Sequence, residues 1–123
     1  MTLRITKIED AGDLDRERLV LRASDDVDIG DFIVLIARAT GEEKVRSGDI
    51  ARAYWFEDKR IKKGDLVVLY SKSGTRREKE NASGTTSHFY YWGRETACWN
   101  ERVRVVLAHA PSWQILVSPK DVA

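Results

Sequence analysis

The chain has 123 residues and a mass of 14.1 kDa, a length that suits one domain able to bury about two-thirds of its unfolded surface. Its single cysteine excludes an internal disulfide framework and a cysteine-based zinc cluster. A formal net charge of +1 excludes a uniformly basic nucleic-acid binder, and 33% charged with 9% aromatic residues reads as a folded globular chain.

Met1-Thr2-Leu3-Arg4-Ile5 runs at once into charged residues, so no apolar stretch suits a secretory leader or a membrane span. An intracellular protein is the resulting expectation, and one unpaired thiol agrees with a reducing compartment. Residues 2–8 alternate, with Leu3 and Ile5 on one face. Asp10-Ala11-Gly12-Asp13 is a turn, since Gly and Asp tolerate its backbone angles. Residues 17–23 place Leu19 and Leu21 opposite Arg18 and Arg22. Residues 27–37 are apolar on both sides: Phe32, Val34 and Ile36 share one face, Ile33, Leu35 and Ala37 the other. Such a strand is covered twice or presents a patch, and covering by loops or by a second subunit is the expectation.

Residues 41–48 read as a polar loop, with a helical turn over 49–53 and a short strand at Tyr54-Trp55-Phe56. Lys62-Lys63-Gly64-Asp65 is a turn before the strongest strand, at 66–70. Residues 71–87 read as one long polar loop, of the kind that carries function. Strands at 89–92, 103–107 and 114–117 follow. The pattern predicts a single all-β domain over 1–123, a sandwich of about eight short strands. Its expected core is Leu19, Leu21, Ile29, Phe32, Val34, Phe56, Val67, Leu69, Trp99, Val103, Val105 and Leu107.

The ordered blocks also carry a family likeness. Arg16-Glu17-Arg18-Leu19-Val20-Leu21 and Val27-Asp28-Ile29-Gly30-Asp31-Phe32-Ile33-Val34 resemble the first strands of the lamin tail domain. Tyr54-Trp55-Phe56, Ile61-Lys62-Lys63-Gly64-Asp65, Val67-Val68-Leu69, the stretch from Tyr91 to Asn100 and Val103-Arg104-Val105-Val106-Leu107 continue the likeness in order. The chain departs from that pattern in lacking a proline before Gly64 and after Phe56, and in carrying Ala110-Pro111-Ser112-Trp113 at the late turn. The resemblance implies an immunoglobulin-like sandwich of a bacterial, stand-alone type. It also implies a role in attachment or assembly, without a shared catalytic site.

Chemistry-bearing residues are sparse. Cys98, His88 and His109 would serve a small hydrolase only as a nucleophile and base within hydrogen-bond reach, and no such pattern is visible. Their spacing matches no zinc signature. Asp25, Asp26, Asp28 and Asp31 lack the glycine and terminal glutamate of a calcium loop. No glycine-rich run leads into a helix to cradle a phosphate. No catalytic residue, cofactor, metal or small-molecule substrate is therefore expected.

Charge is organised in blocks. Residues 9–31 hold nine acids and three bases, a net of −6; residues 59–79 hold eight bases and two acids, a net of +6. The blocks can steer a charged partner, join two copies head to tail, or interleave once folded. The sequence thus predicts a non-enzymatic interaction or attachment module that meets a protein partner or another copy through Lys72, Arg76, Arg77, Lys79 and Tyr90. The alternative is a nucleic-acid binder in which Tyr90 or Tyr91 stacks on bases beside the basic loop.

Overall fold

The computed structural model describes residues 1–118; the end of the expected 1–123 domain, residues 119–123, lies outside the described residues. Ten strands follow in order: β1 (Leu3–Glu9), β2 (Arg18–Ala23), β3 (Val27–Asp28), β4 (Phe32–Gly41), β5 (Lys44–Trp55), β6 (Arg60–Ile61), β7 (Leu66–Tyr70), β8 (Arg77–Glu80), β9 (Thr86–Tyr91) and β10 (Val103–His109). A 3₁₀ turn, Ile29–Asp31, joins β3 to β4. The chain is the expected all-β, immunoglobulin-like sandwich, with more strands than the sequence marked.

One sheet has five strands in the order β1-β2-β7-β9-β8, the other three in the order β10-β4-β5, and β3 pairs with β6 as a small ribbon. All pairings are antiparallel except β7 with β9. Period-two alternation decides which residues meet between the sheets. Leu3, Leu19, Leu21, Val67, Leu69 and Tyr90 from the five-stranded sheet pack with Phe32, Val34 and Ile36 from the other. Of the expected core, Leu19 through Trp99 are buried, whereas Val103, Val105 and Leu107 are half-buried against it. Those three sit on β10, an edge strand with a neighbour on one side only.

Four expectations are corrected. Residues 41–53 are not a loop and helical turn but a hairpin, with β5 running twelve residues along β4. Few apolar residues mark β5 because it is an edge strand exposed nearly throughout, and its register against β4 shifts three times. Residues 71–87 are not one loop: Arg-Glu-Lys-Glu forms β8, paired with β9 at the sheet edge. Alternating charge is how edge strands resist pairing with other chains, and it hides the strand from an apolar pattern. The strand expected at 114–117 is absent: these residues have no ladder partner among the described residues, and Ile115, Leu116 and Val117 are 75%, 59% and 85% exposed. Residues 27–37 are β3, the 3₁₀ turn and most of β4 rather than one strand.

Short-range chemistry sets the turns. Asp10 adopts φ 52° and Gly12 φ 93° in the turn after β1. Asp28 caps the 3₁₀ turn by accepting the Gly30 N–H at 2.8 Å, and it also accepts the Lys59 N–H at 3.0 Å. Asp26 accepts the Lys63 N–H at 2.9 Å. Through β3 and β6, part of the acidic block is thus tied to the start of the basic one, and the two interleave at this end of the sandwich.

Candidate interaction surfaces

The named interaction residues separate onto two sides of the sheet edge. In β8, Arg77 lies opposite Phe89 and Lys79 opposite Ser87, both on the outer face of the five-stranded sheet. Tyr70 lies opposite Tyr91 on the same outer face. The Tyr70 and Tyr91 rings stack, with centroids 5.3 Å apart and planes 9° from parallel, and Phe89 lies 6.5 Å from Tyr70. Cations cover this aromatic row: Arg77 sits 4.2 Å from the Phe89 centroid, Lys72 5.1 Å and Arg18 5.8 Å from that of Tyr70. Gly74 lets the chain pass beside it, since a Cβ there would run into the Tyr91 ring.

Tyr90 and Arg76 face the other way. Tyr90 is 2% exposed and packs edge-on against Phe56 in the core. Arg76 donates to the Tyr90 hydroxyl at 3.0 Å and pairs with Glu57 at 3.0 Å. Burial pushes the Tyr90 hydroxyl pKa up, against the opposing pull of Arg76. Tyr90 is therefore buried and offers no face to a base; the outward-facing rings are Tyr70, Phe89 and Tyr91. Strand parity placed Phe89 and Tyr91 together in the sequence, but Tyr70 joins them only through the parallel β7–β9 pairing, which no local pattern announces.

The outer face of the three-stranded sheet is largely apolar, with Arg104 opposite Ala37 at one end. Ile33 lies opposite Trp55 and Ala108, Leu35 opposite Ala53 and Val106, and Ala37 opposite Ile50. Trp55 is 45% exposed, and its indole N–H donates to the Gly30 carbonyl at 2.7 Å. Trp113, from the segment after β10, meets the Trp55 ring edge-on at 4.9 Å and is itself 60% exposed. Trp113 thus supplies part of the expected loop cover over this sheet.

The other candidate chemistry is dispersed. Cys98 is half-buried; burial raises its thiol pKa, and its backbone N–H donates to Glu17 at 2.6 Å. His109 stacks on Phe32 at 4.7 Å, and His88 pairs with Asp65 at 2.9 Å. The Cys98 thiol points to the Thr96 carbonyl at 4.0 Å, while the two histidines are engaged by Asp65 and Phe32. Among the described residues, no three His, Cys, Asp or Glu side chains are placed to share a metal ion. No helix of the described residues is long and apolar enough to cross a membrane. Compared with known proteins, the chain matches no family model and no curated sequence.

Proposed function

We propose that the chain is a non-enzymatic interaction and assembly module whose partner, on the outer face of the β10–β4–β5 sheet, is a second copy of the same chain. The observation that carries this reading is the apolar face around Trp55 and Ile50, continued by Trp113 and exposed Ile115, Leu116 and Val117. Contiguous exposed apolar surface marks a contact site. Two features favour a second copy. A net charge of +1 lets identical chains approach without strong repulsion. The face and the unpaired apolar segment adjoin each other, so a two-fold contact lays each copy's segment over the other's face. The likeness to lamin tail domains supports an assembly role.

Sedimentation velocity over a concentration series tests it. A reversible dimer insensitive to salt is expected. Leu116→Asp, at an exposed position, would then place a charge in the apolar contact and raise the dimer Kd by at least about tenfold. A chain that stays monomeric throughout overturns the reading.

The aromatic row favours a second reading, binding of single-stranded nucleic acid across Tyr70, Phe89 and Tyr91 with Arg18, Lys72, Arg77 and Lys79 on the phosphates. Base stacking on such rings contributes about 1–3 kcal/mol each. In this reading Tyr91→Ala weakens binding of a mixed single-stranded DNA by roughly tenfold or more, affinity falls steeply with salt, and Tyr90→Phe leaves it unchanged. Fluorescence anisotropy at two salt concentrations decides, and absence of binding at low salt removes it.

A further inference from the structure

A different feature lies along the free edge of β10. Four strands end the two larger sheets, β1 and β8 in one, β10 and β5 in the other. Three of them are blunted against pairing with another chain. The register of β1 breaks between Ile5 and Lys7, β5 shifts three times against β4, and β8 is four charged residues long. β10 carries none of these devices. Val103 to His109 pair with β4 residue by residue without a shift, and all but Arg104 and His109 are apolar.

The ladder shows which backbone groups this edge leaves open. In an antiparallel pair, residues that exchange hydrogen bonds alternate with residues whose N–H and C=O point to the other side. The Ala39 N–H donates to the Arg102 carbonyl at 2.9 Å and the Ala110 N–H to the Asp31 carbonyl at 2.7 Å. Arg104, Val106 and Ala108 share that parity and bond to β4, so Val103, Val105, Leu107 and His109 turn their groups outward. Val103 is closed locally: its N–H reaches the Asn100 carbonyl at 3.4 Å, and its carbonyl accepts from Arg104 Nη1 at 2.9 Å. The backbone groups of Val105, Leu107 and His109 have no such partner among the described residues. Beside Val105 a hollow of about 630 Å³, lined by Ile8, Trp99, Val103 and Val105, leaves the core-facing side of this edge uncovered as well.

We propose that β10 pairs antiparallel with β10 of a second copy about a two-fold axis at Leu107, joining the two three-stranded sheets edge to edge. The three open residues define the register. Val105 of one copy meets His109 of the other, and Leu107 meets Leu107, so every outward N–H and C=O of the three gains a partner. The same register sets Val106 against Ala108 and Arg104 against Ala110, and no charge faces its like. An identical strand is the occupant because the open groups are symmetric about Leu107, as an isologous contact requires. It is also the occupant because the other edges of the chain are blunted. The contact is separate from the one on the outer face of this sheet, and it adds a step of association above that dimer.

The test uses the Leu116→Asp chain, in which the outer-face contact is weakened. Sedimentation velocity over a concentration series should still show a reversible dimer. Amide exchange reads the register. At low concentration Arg104, Val106 and Ala108 should be protected while Val105, Leu107 and His109 exchange fast; at high concentration the last three should slow by about tenfold. Leu107→Pro removes an outward N–H that no bond within the chain uses, at a kind of position where an edge strand accepts proline. It should raise the Kd of this dimer about tenfold or more, and the exchange pattern of the parent decides the matter should that protein not fold. A Leu116→Asp chain that is monomeric at every concentration, or a dimer in which those three amides stay fast, overturns the edge contact. The face contact fails on a different result, an association that Leu116→Asp leaves unchanged.

Discussion

Glu17→Ala is expected to lower the unfolding free energy by about 3–5 kcal/mol, enough to bring a domain of ordinary stability close to its limit. Glu17 is fully buried, yet it sits immediately before β2 in a turn where a solvated acid would be unremarkable. Its carboxylate is an acceptor for three separate parts of the chain. Oε1 takes the Gly12 N–H at 2.9 Å, and Oε2 takes the Cys98 N–H at 2.6 Å and a hydrogen bond from the Ser71 hydroxyl. Those donors belong to the turn after β1, the end of β7 and the irregular approach to β10.

Each donor left buried and unpaired costs about 1–3 kcal/mol, and a charged acceptor lies at the upper end of that range. Alanine removes the acceptor from all three and leaves a void. Glutamine keeps the shape and one acceptor oxygen but turns an NH₂ toward groups that are themselves donors. Urea unfolding of both variants checks the argument, with Glu17→Gln expected between wild type and Glu17→Ala. A loss below about 1 kcal/mol for Glu17→Ala would mean that water replaces the carboxylate without penalty.

Why the sequence reveals some of this and hides the rest is visible at these same residues. Glu17 shares the parity of Leu19 and Leu21, so alternation sends it inward with them, but nothing local names the three donors that its carboxylate meets. The central strands are legible because two-sided packing imposes alternation: Leu19 and Leu21, Phe32 and Val34, Val67 and Leu69 all point where period two sends them. The edge strands are not. β5 and β8 need only a backbone partner, so their side chains answer to water, and Lys44-Val45-Arg46 and Arg77-Glu78-Lys79-Glu80 carry charge where a buried strand would carry apolar residues.

The interaction surfaces divide in the same way. Lys72, Arg77 and Lys79 could be named from their charge. That Tyr90 turns inward follows from strand parity at β9, and Arg76, just before β8, reaches its hydroxyl. Tyr70 and Tyr91 are brought together by a parallel pairing, and His88 with Asp65 by contact between strands 23 residues apart in sequence. Such partners have no local signature. The charge blocks were legible as blocks, but their interleaving through β3 and β6 depends on two strands of two residues each.

Asp65→Asn is expected to destabilise the protein by about 2–4 kcal/mol near neutral pH, and the deficit should shrink in acid. Burial pushes the Asp65 carboxyl up, but hydrogen bonds from His88, Thr86 and Lys62 outweigh it and hold the group below its ordinary value of 3.8. A carboxyl whose folded value lies below its unfolded one contributes stability that is fully present above the unfolded value. That contribution is lost as the pH falls through the folded value, because the unfolded chain binds the proton first. Wild-type stability should therefore drop below about pH 4, while the asparagine variant, with no carboxyl to protonate at this position, should lose less over the same range.

Chemical unfolding at pH 7, 5, 4 and 3 measures the gap between the two proteins at each step. The gap must narrow on the acid side if the ionised Asp65 is what organises this end of the five-stranded sheet. A gap that stays constant from pH 7 to 3 would assign the loss to shape alone. The location of the effect strengthens the inference, because Asp65 holds the turn before β7 and the first residue of β9 as well as the ring of His88. Amide exchange at Thr86 and Lys62, whose N–H groups donate to that carboxylate, should quicken in the variant ahead of global unfolding, whereas exchange at Val34, buried in the opposite sheet, should change only with the global stability.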